Sequence, residues 1–270
     1  MPSGSRSGPT PGSSPPRSRR CGGPRAIDRA PRAAALAVAR RACHACAMTD
    51  RPVLPAAPRP APIVLAIAGL CALFELAFTL ADLPMVGYEG LRRAALVYGA
   101  FWPGLLQDWE PVFPGQPVTM FISYAFLHGG FLHMLFNMLV MIALGREAVA
   151  RLGQGGFLLA FLITAIGAAG TYYLLDSTGT PMLGASGAVF GFFGMQVYWD
   201  VQIRRARGLS LDQPVRLVIG LVVMNVLLWA LVSGMLAWQA HLGGFVTGVV
   251  LAALVTPTLN HRHRSGRRGN

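Results

Sequence analysis

The chain has 270 residues, 53% of them hydrophobic and only 13% charged, with a mean hydropathy of +0.49. That balance is too apolar for a water-soluble domain and predicts a polytopic membrane protein. All 23 basic residues are arginine against 11 acidic ones, a net charge of +12; such an excess suits nucleic acid as well as lipid, and the placement of the arginines decides between them.

In chain order, residues 1–60 are dominated by Pro, Ser, Gly and Arg, with no apolar period long enough to fold, and read as a disordered tail. The short apolar stretch at 33–38 is followed by Arg40 and Arg41, so it is not a secretory signal. "CHAC" at 43–46 is a single CxxC without a second pair, and no metal site is expected from it. Met48 opens "MTDRPVL" close to the first apolar run and is an alternative start of translation. Cys71 lies within that run, so the cysteines form no disulfide framework.

Apolar segments follow at about 62–81, 120–145, 157–175, 182–199, 215–232 and 237–256. Runs near 20 residues without barrel-like alternation span as helices, because hydrocarbon leaves no partner for an open backbone. The expected fold is therefore all-α, one bundle of six transmembrane helices over 61–256 followed by a basic tail at 257–270. Arginines crowd the segment before the first span, the links after spans two and four (Arg146, Arg151, Arg204, Arg205, Arg207, Arg216) and the C-terminal tail. The positive-inside rule then puts both termini in the cytoplasm. Topology and anionic membrane lipid account for the charge, and nucleic acid is not expected as a partner.

Polar groups inside spans are costly and read by default as functional. Span two carries "HGGFLHMLFNM" with His128, His133 and Asn137; span four carries Ser186; span six carries "AHLGGFVTG" with His241. These three spans enter from the outer face with their polar groups near the N-terminal ends, so the groups meet at one depth. His133 and Asn137, at i and i+4, share a helix face. Gly187 and Gly191 on span four and Ala240, Gly244 and Gly248 on span six form small-xxx-small rows that admit close backbone approach, with Gly184, Gly194 and Gly243 adding small surface. A hydroxyl and an imidazole brought together this way make a nucleophile and its base, and His133, Asn137 and the Ser186 N–H are candidate oxyanion donors. Taken singly, Ser186 also suits helix packing, and His128 suits pinning the end of span two or ordering water. Glu75 reads as a protonated or hydrogen-bonded bundle residue, and Asn225 as structural.

"GASG" around Ser186, "AHLGG" around His241 and the span-two motif resemble the rhomboid intramembrane serine proteases in their bacterial six-helix form. The likeness runs over roughly 62–256. It implies a Ser186–His241 dyad without a third carboxylate or a cofactor, oxyanion support from His133 and Asn137, and cleavage of transmembrane protein substrates near their outer ends. It also implies an inner-membrane location with the active site toward the outer face. Phe190, one turn after Ser186, stands where the family places an aromatic against the histidine ring, with phenylalanine for the usual tyrosine. Thr119 and Met120 replace a customary Trp-Arg pair that anchors the first loop, and an acidic residue customary at the cytoplasmic end of span two is out of register, with Glu147 nearby. The aromatic loop at 82–118 would lie in the interface, "VSGMLAWQ" would cap the site, and span five would admit substrate. A catalytically silent client-binding protein of the same fold, and a transporter or channel, are the competing classes; the apolar lower half of spans two, four and six disfavours the last.

Overall fold

The computed structural model describes residues 61–85, 90–176 and 178–266, with side chains through 256. The tail at 1–60 with its CHAC pair and Met48, Tyr88 of the first loop, and the side chains of the basic tail lie outside the described residues. Among those described, the regular elements are helices: α1 Pro62–Ala81, α2 Leu91–Gly99, a 3-10 turn Pro103–Leu106, α3 Gln116–Ser123, a 3-10 turn Tyr124–Phe126, α4 Phe131–Leu175, α5 Ser186–Arg207, α6 Asp212–Leu231 and α7 Trp238–Gly266. One isolated bridge joins Phe101 to Met182. Four helical stretches are long and apolar enough to cross a membrane: α1, α4, α6 and the Trp238–Thr256 part of α7.

Three predicted boundaries change. The second span was expected from 120, but residues 120–126 belong to α3 and its 3-10 turn, and the helix starts at Phe131. The apolar run hides this break, which falls at Gly129 and Gly130, where φ reaches 153°. His128 therefore sits in a turn ahead of α4, not within a span. Spans two and three merge into the 45 residues of α4, about 67 Å at 1.5 Å per residue and more than twice a hydrocarbon core of about 30 Å. The chain leaves helical geometry once inside it, at Gly153 with φ 74° and ψ 173°. Span four was expected over 182–199; the helix begins at Ser186 and runs to Arg207, closed by Gly208 in the left-handed region.

Helix α5 is the centre of the bundle, flanked by α4 and α7. Its glycines explain how closely. A Cβ on Gly244 would overlap the carbonyl oxygen of Gly187, and one on Gly248 that of Gly191. The α5 and α7 backbones thus touch along the two rows. On the α4 side Phe157 stacks on Phe192 at 4.6 Å, and both rings are buried. At the other end Glu147 pairs with Arg151 at 2.6 Å and accepts from Gln196 of α5, while Arg151 lies 4.8 Å over the Trp199 ring. The most sparsely buried of the candidate spans is α6, which buries only Pro214 and Leu221 and exposes Val215, Ile219, Val222, Val226 and Leu231, as a lipid-facing helix does.

The first loop is tied down without the usual pair. Arg92 on α2 meets both carboxylate oxygens of the buried Glu75 at 3.0 Å, Asp82 at 2.8 Å and the His128 carbonyl at 3.3 Å. The hydrogen-bonded carboxylate of Glu75 holds the guanidinium pKa above its ordinary value. Of the loop aromatics expected at the interface, Tyr98 and Trp109 are exposed, but Phe101 is fully buried against Phe121, Tyr124 and Tyr172. Its backbone bridge to Met182 draws the loop into the core.

Candidate active site

The residues singled out in the sequence gather where three helices begin. Ser186 is the first residue of α5, His133 the third of α4 and His241 the fourth of α7. A helix N-terminus carries free N–H groups and a positive dipole end, so three of them converging form an electropositive, donor-rich place.

The turn before Ser186 is fixed from three sides. Met182 exchanges both backbone bonds with Phe101 at 2.9 Å, Gly184 N–H donates to the Tyr124 carbonyl at 2.9 Å, and Ala185 N–H donates to His128 Nε2 at 3.4 Å. Tyr124 is itself anchored by its hydroxyl, which donates to the Ala165 carbonyl of α4 at 2.8 Å. Gly184 has φ 119°, and a Cβ there would stand 2.9 Å from the His133 ring and 3.9 Å from Ser186 Oγ. Only hydrogen fits between the imidazole and the hydroxyl. No side chain caps α5, so the N–H groups of its first turn face the same space.

His241 is held by two contacts. Its ring lies flat on Phe190, centroids 4.2 Å apart and planes 5° off parallel. Its Nδ1 lies 2.6 Å from Asn225 Oδ1 on α6. The amide nitrogen of Asn225 donates to the Leu221 carbonyl at 3.1 Å, so the oxygen faces the ring and Nδ1 carries the hydrogen. Nε2 is then a free lone pair. Among the described residues Ser186 Oγ has no hydrogen-bond partner either, leaving hydroxyl and imidazole nitrogen both unengaged. Their neighbours are in contact: a Cβ on Gly187 would lie 3.7 Å from the Ala240 carbonyl.

Of the span-two residues, His133 and Asn137 share one helix face as expected, and the Asn137 amide donates back to the His133 carbonyl at 2.9 Å. His128 is 3% exposed, its ring edge-on to His133 at 5.2 Å. Besides accepting from Ala185 N–H it has a buried Nδ1 without a hydrogen-bond partner. Asn225 and Arg92 were not among the expected site residues. The first was visible as the one amide in the apolar stretch of α6 after Arg216; the second pairs with Glu75 across 17 positions, which no local pattern marks. Beside the imidazole opens a cavity of about 490 Å³, lined by Phe190, by Leu221, Val222 and Trp229 of α6 and by Trp238, His241 and Phe245 of α7.

Residues 115–258 match the family model described as the Rhomboid domain. The putative rhomboid protease YdcA of Bacillus subtilis is 29% identical over 143 residues, 53% of this chain and 69% of that protein. The rhomboid protease GlpG of Salmonella newport is 29% identical over 172 residues, 61% of this chain and 55% of the relative. RHOMBOID-like protein 5 of Arabidopsis thaliana is 29% identical over 136 residues, 48% and 41%. The match spans about half the length of the last two relatives. With a helical membrane bundle and a family match over more than half its length, the chain belongs to the rhomboid family.

Proposed function

We propose that the chain is an intramembrane serine endopeptidase that hydrolyses peptide bonds in or near transmembrane segments of membrane proteins. What carries this reading is the unengaged Ser186 hydroxyl at an uncapped helix N-terminus, one residue before the Gly187–Ala240 approach to the helix that bears a histidine whose Nδ1 is occupied and whose Nε2 is free. Ser186 Oγ attacks the scissile carbonyl carbon while His241 Nε2 takes its proton, giving a tetrahedral oxyanion. The Ser186 N–H, His133 and Asn137 donate to that oxygen, at the positive end of α5 where developing negative charge is favoured. Collapse breaks the C–N bond, and the proton on His241 passes to the leaving amine. Water, deprotonated by the same imidazole, then hydrolyses the acyl-enzyme and restores Ser186. The sequence of steps calls on neither metal nor organic cofactor. Protease names among the relatives support the class.

In this reading the chain crosses the membrane six times, with the two halves of α4 and the apolar part of α5 each counted as a pass. The arginine distribution orients the site toward the outer face of a bacterial inner membrane with both termini inside. The cavity between α6 and α7 and the sparse burial of α6 support entry of substrate past that helix. Residues 61–256 form the proteolytic domain, and the terminal segments are cytoplasmic appendages.

A fluorophosphonate probe applied to the reconstituted full chain tests the assignment against a silent client-binding member of the family. The wild type should label, while Ser186→Ala and His241→Ala should do so at background and cleave no transmembrane substrate. Labelling retained in Ser186→Ala would sink the reading.

A further inference from the structure

A catalytic histidine needs both a fixed ring position and a fixed tautomer, and α5 supplies only part of the first. Stacking on Phe190 at 4.2 Å and 5° sets the plane of the His241 ring. It does not choose between two orientations related by a half-turn within that plane's edges, one presenting Nδ1 to α6 and the other presenting carbon there. It also leaves the proton free to sit on either nitrogen. The group that breaks both ambiguities is on α6.

We propose that Asn225 is the positioning residue for His241: its Oδ1 accepts the Nδ1 hydrogen and so holds the ring and the tautomer that leave Nε2 to act as base. The proposal rests on the protease reading above and extends it from a dyad to a set of three side chains, the third holding the base in place from the access helix. Three observations support it. The contact is 2.6 Å, and the amide is oriented by its own donation to Leu221 O at 3.1 Å, so the oxygen and not the nitrogen faces the ring. Between Arg216 and Leu231 no other amide, hydroxyl or charged side chain occurs in α6, and a lone polar group in a lipid-facing helix is costly unless it is used. Asn225 and His241 both line the apolar cavity, where water competing for Nδ1 finds few other polar partners. A base in turn oriented by a third group is the general form of an activated nucleophile, and an amide does this without adding charge to a membrane-embedded site. Because α6 packs loosely, the base is set only while that helix is seated, which couples the chemistry to the position of the helix past which substrate enters.

The groups facing His241 define the controls. Helix α5 presents Phe190, α4 presents the His133 ring as the neighbouring ionisable group beside Gly184 and Ser186, and α6 presents Asn225 among apolar residues. The experiment uses the reconstituted full chain with Asn225→Leu and Asn225→Asp, read by fluorophosphonate labelling against pH, by kcat and KM for a transmembrane substrate, and by 15N-histidine spectra. Asn225→Leu should lower the labelling rate and kcat by about 10- to 100-fold, as misplacement of a catalytic group does, with KM within about twofold and the Nδ1–H tautomer replaced by a mixture. Asn225→Asp should recover much of the rate and move the acidic limb of the profile to higher pH, since a carboxylate there favours the imidazolium. An Asn225→Leu protein that labels at the wild-type rate with its histidine spectrum unchanged would overturn the proposal. So would a loss of rate in both variants with neither a limb shift nor a tautomer change, the mark of a merely structural tie. If the wild type shows no Ser186-dependent labelling, the protease reading falls, and an unchanged spectrum in Asn225→Leu then removes the positioning role as well.

Discussion

The α5–α7 crossing offers the most demanding test, because one methyl group added at two places should have opposite effects. In Gly244→Ala the new Cβ overlaps the carbonyl oxygen of Gly187, a backbone atom that cannot rotate away. Relief requires α7 to move off α5 by more than about 1 Å, with His241 three residues away carried along. Overpacking of this kind costs about 1–3 kcal/mol, and a displacement of about 1 Å at a catalytic group lowers rate about 100-fold. Gly220→Ala on α6 is the matched control: nothing lies within 4 Å of its Cβ, so it should stabilise by about 0.5–1 kcal/mol through helix propensity alone, with labelling unchanged. Unfolding of both variants in detergent micelles and their fluorophosphonate labelling rates give the comparison. A Gly244→Ala protein with wild-type stability and rate would refute the account of the glycine rows as what brings Ser186 and His241 together.

The loop anchor and the histidine platform give two further tests. Arg92→Ala strands Glu75, which is 1% exposed, and should cost about 2–4 kcal/mol, somewhat below the loss for a fully buried pair because Arg92 is 30% exposed. Glu75→Leu combined with Arg92→Leu should recover most of that in a thermal unfolding assay; a double variant no better than Arg92→Ala would show that the ion pair is not the cause. Phe190→Leu removes the stacked ring and should weaken the hold on His241 by about 0.5–1.5 kcal/mol, read as a several-fold slower labelling rate, whereas Phe190→Tyr keeps the aromatic face. Equal rates in the leucine variant would remove the stack from the site.

What was legible in the sequence follows from what each signal measures. The small-xxx-small rows report backbone approach directly, so the Gly187 and Gly191 contact with Gly244 and Gly248 was readable before any coordinates. Hydropathy measures burial in lipid or protein without distinguishing them, so the apolar stretch from 120 masked α3 and the turn at Gly129 and Gly130, and Phe101 was read as interfacial when it is core. Ser186 was placed inside a span for the same reason, and its position as the first residue of α5 adds the helix dipole and free N–H groups to its surroundings. The ties from Arg92 to Glu75 and from Asn225 to His241 cross between elements, and sequence spacing carries no information on such pairs. Asn225 did carry a signal, being a lone amide in lipid-facing surroundings, but nothing local named His241 as its partner.

The bundle divides by packing into parts with different demands. Helices α4, α5 and α7 meet through glycine contacts and buried rings, and they hold His133, Ser186 and His241 at their first turns, with Asn137 one turn further along α4. Rigidity there serves chemistry, since small displacements are expensive in rate. Helix α6 is sparsely buried and borders the cavity. If Asn225 positions His241 as proposed, the orientation of Nε2 depends on α6 being seated against α7. The histidine spectrum of a variant with α6 tethered to α7 should then show the Nδ1–H tautomer more completely than the free wild type, and equal populations in the two would separate access from chemistry.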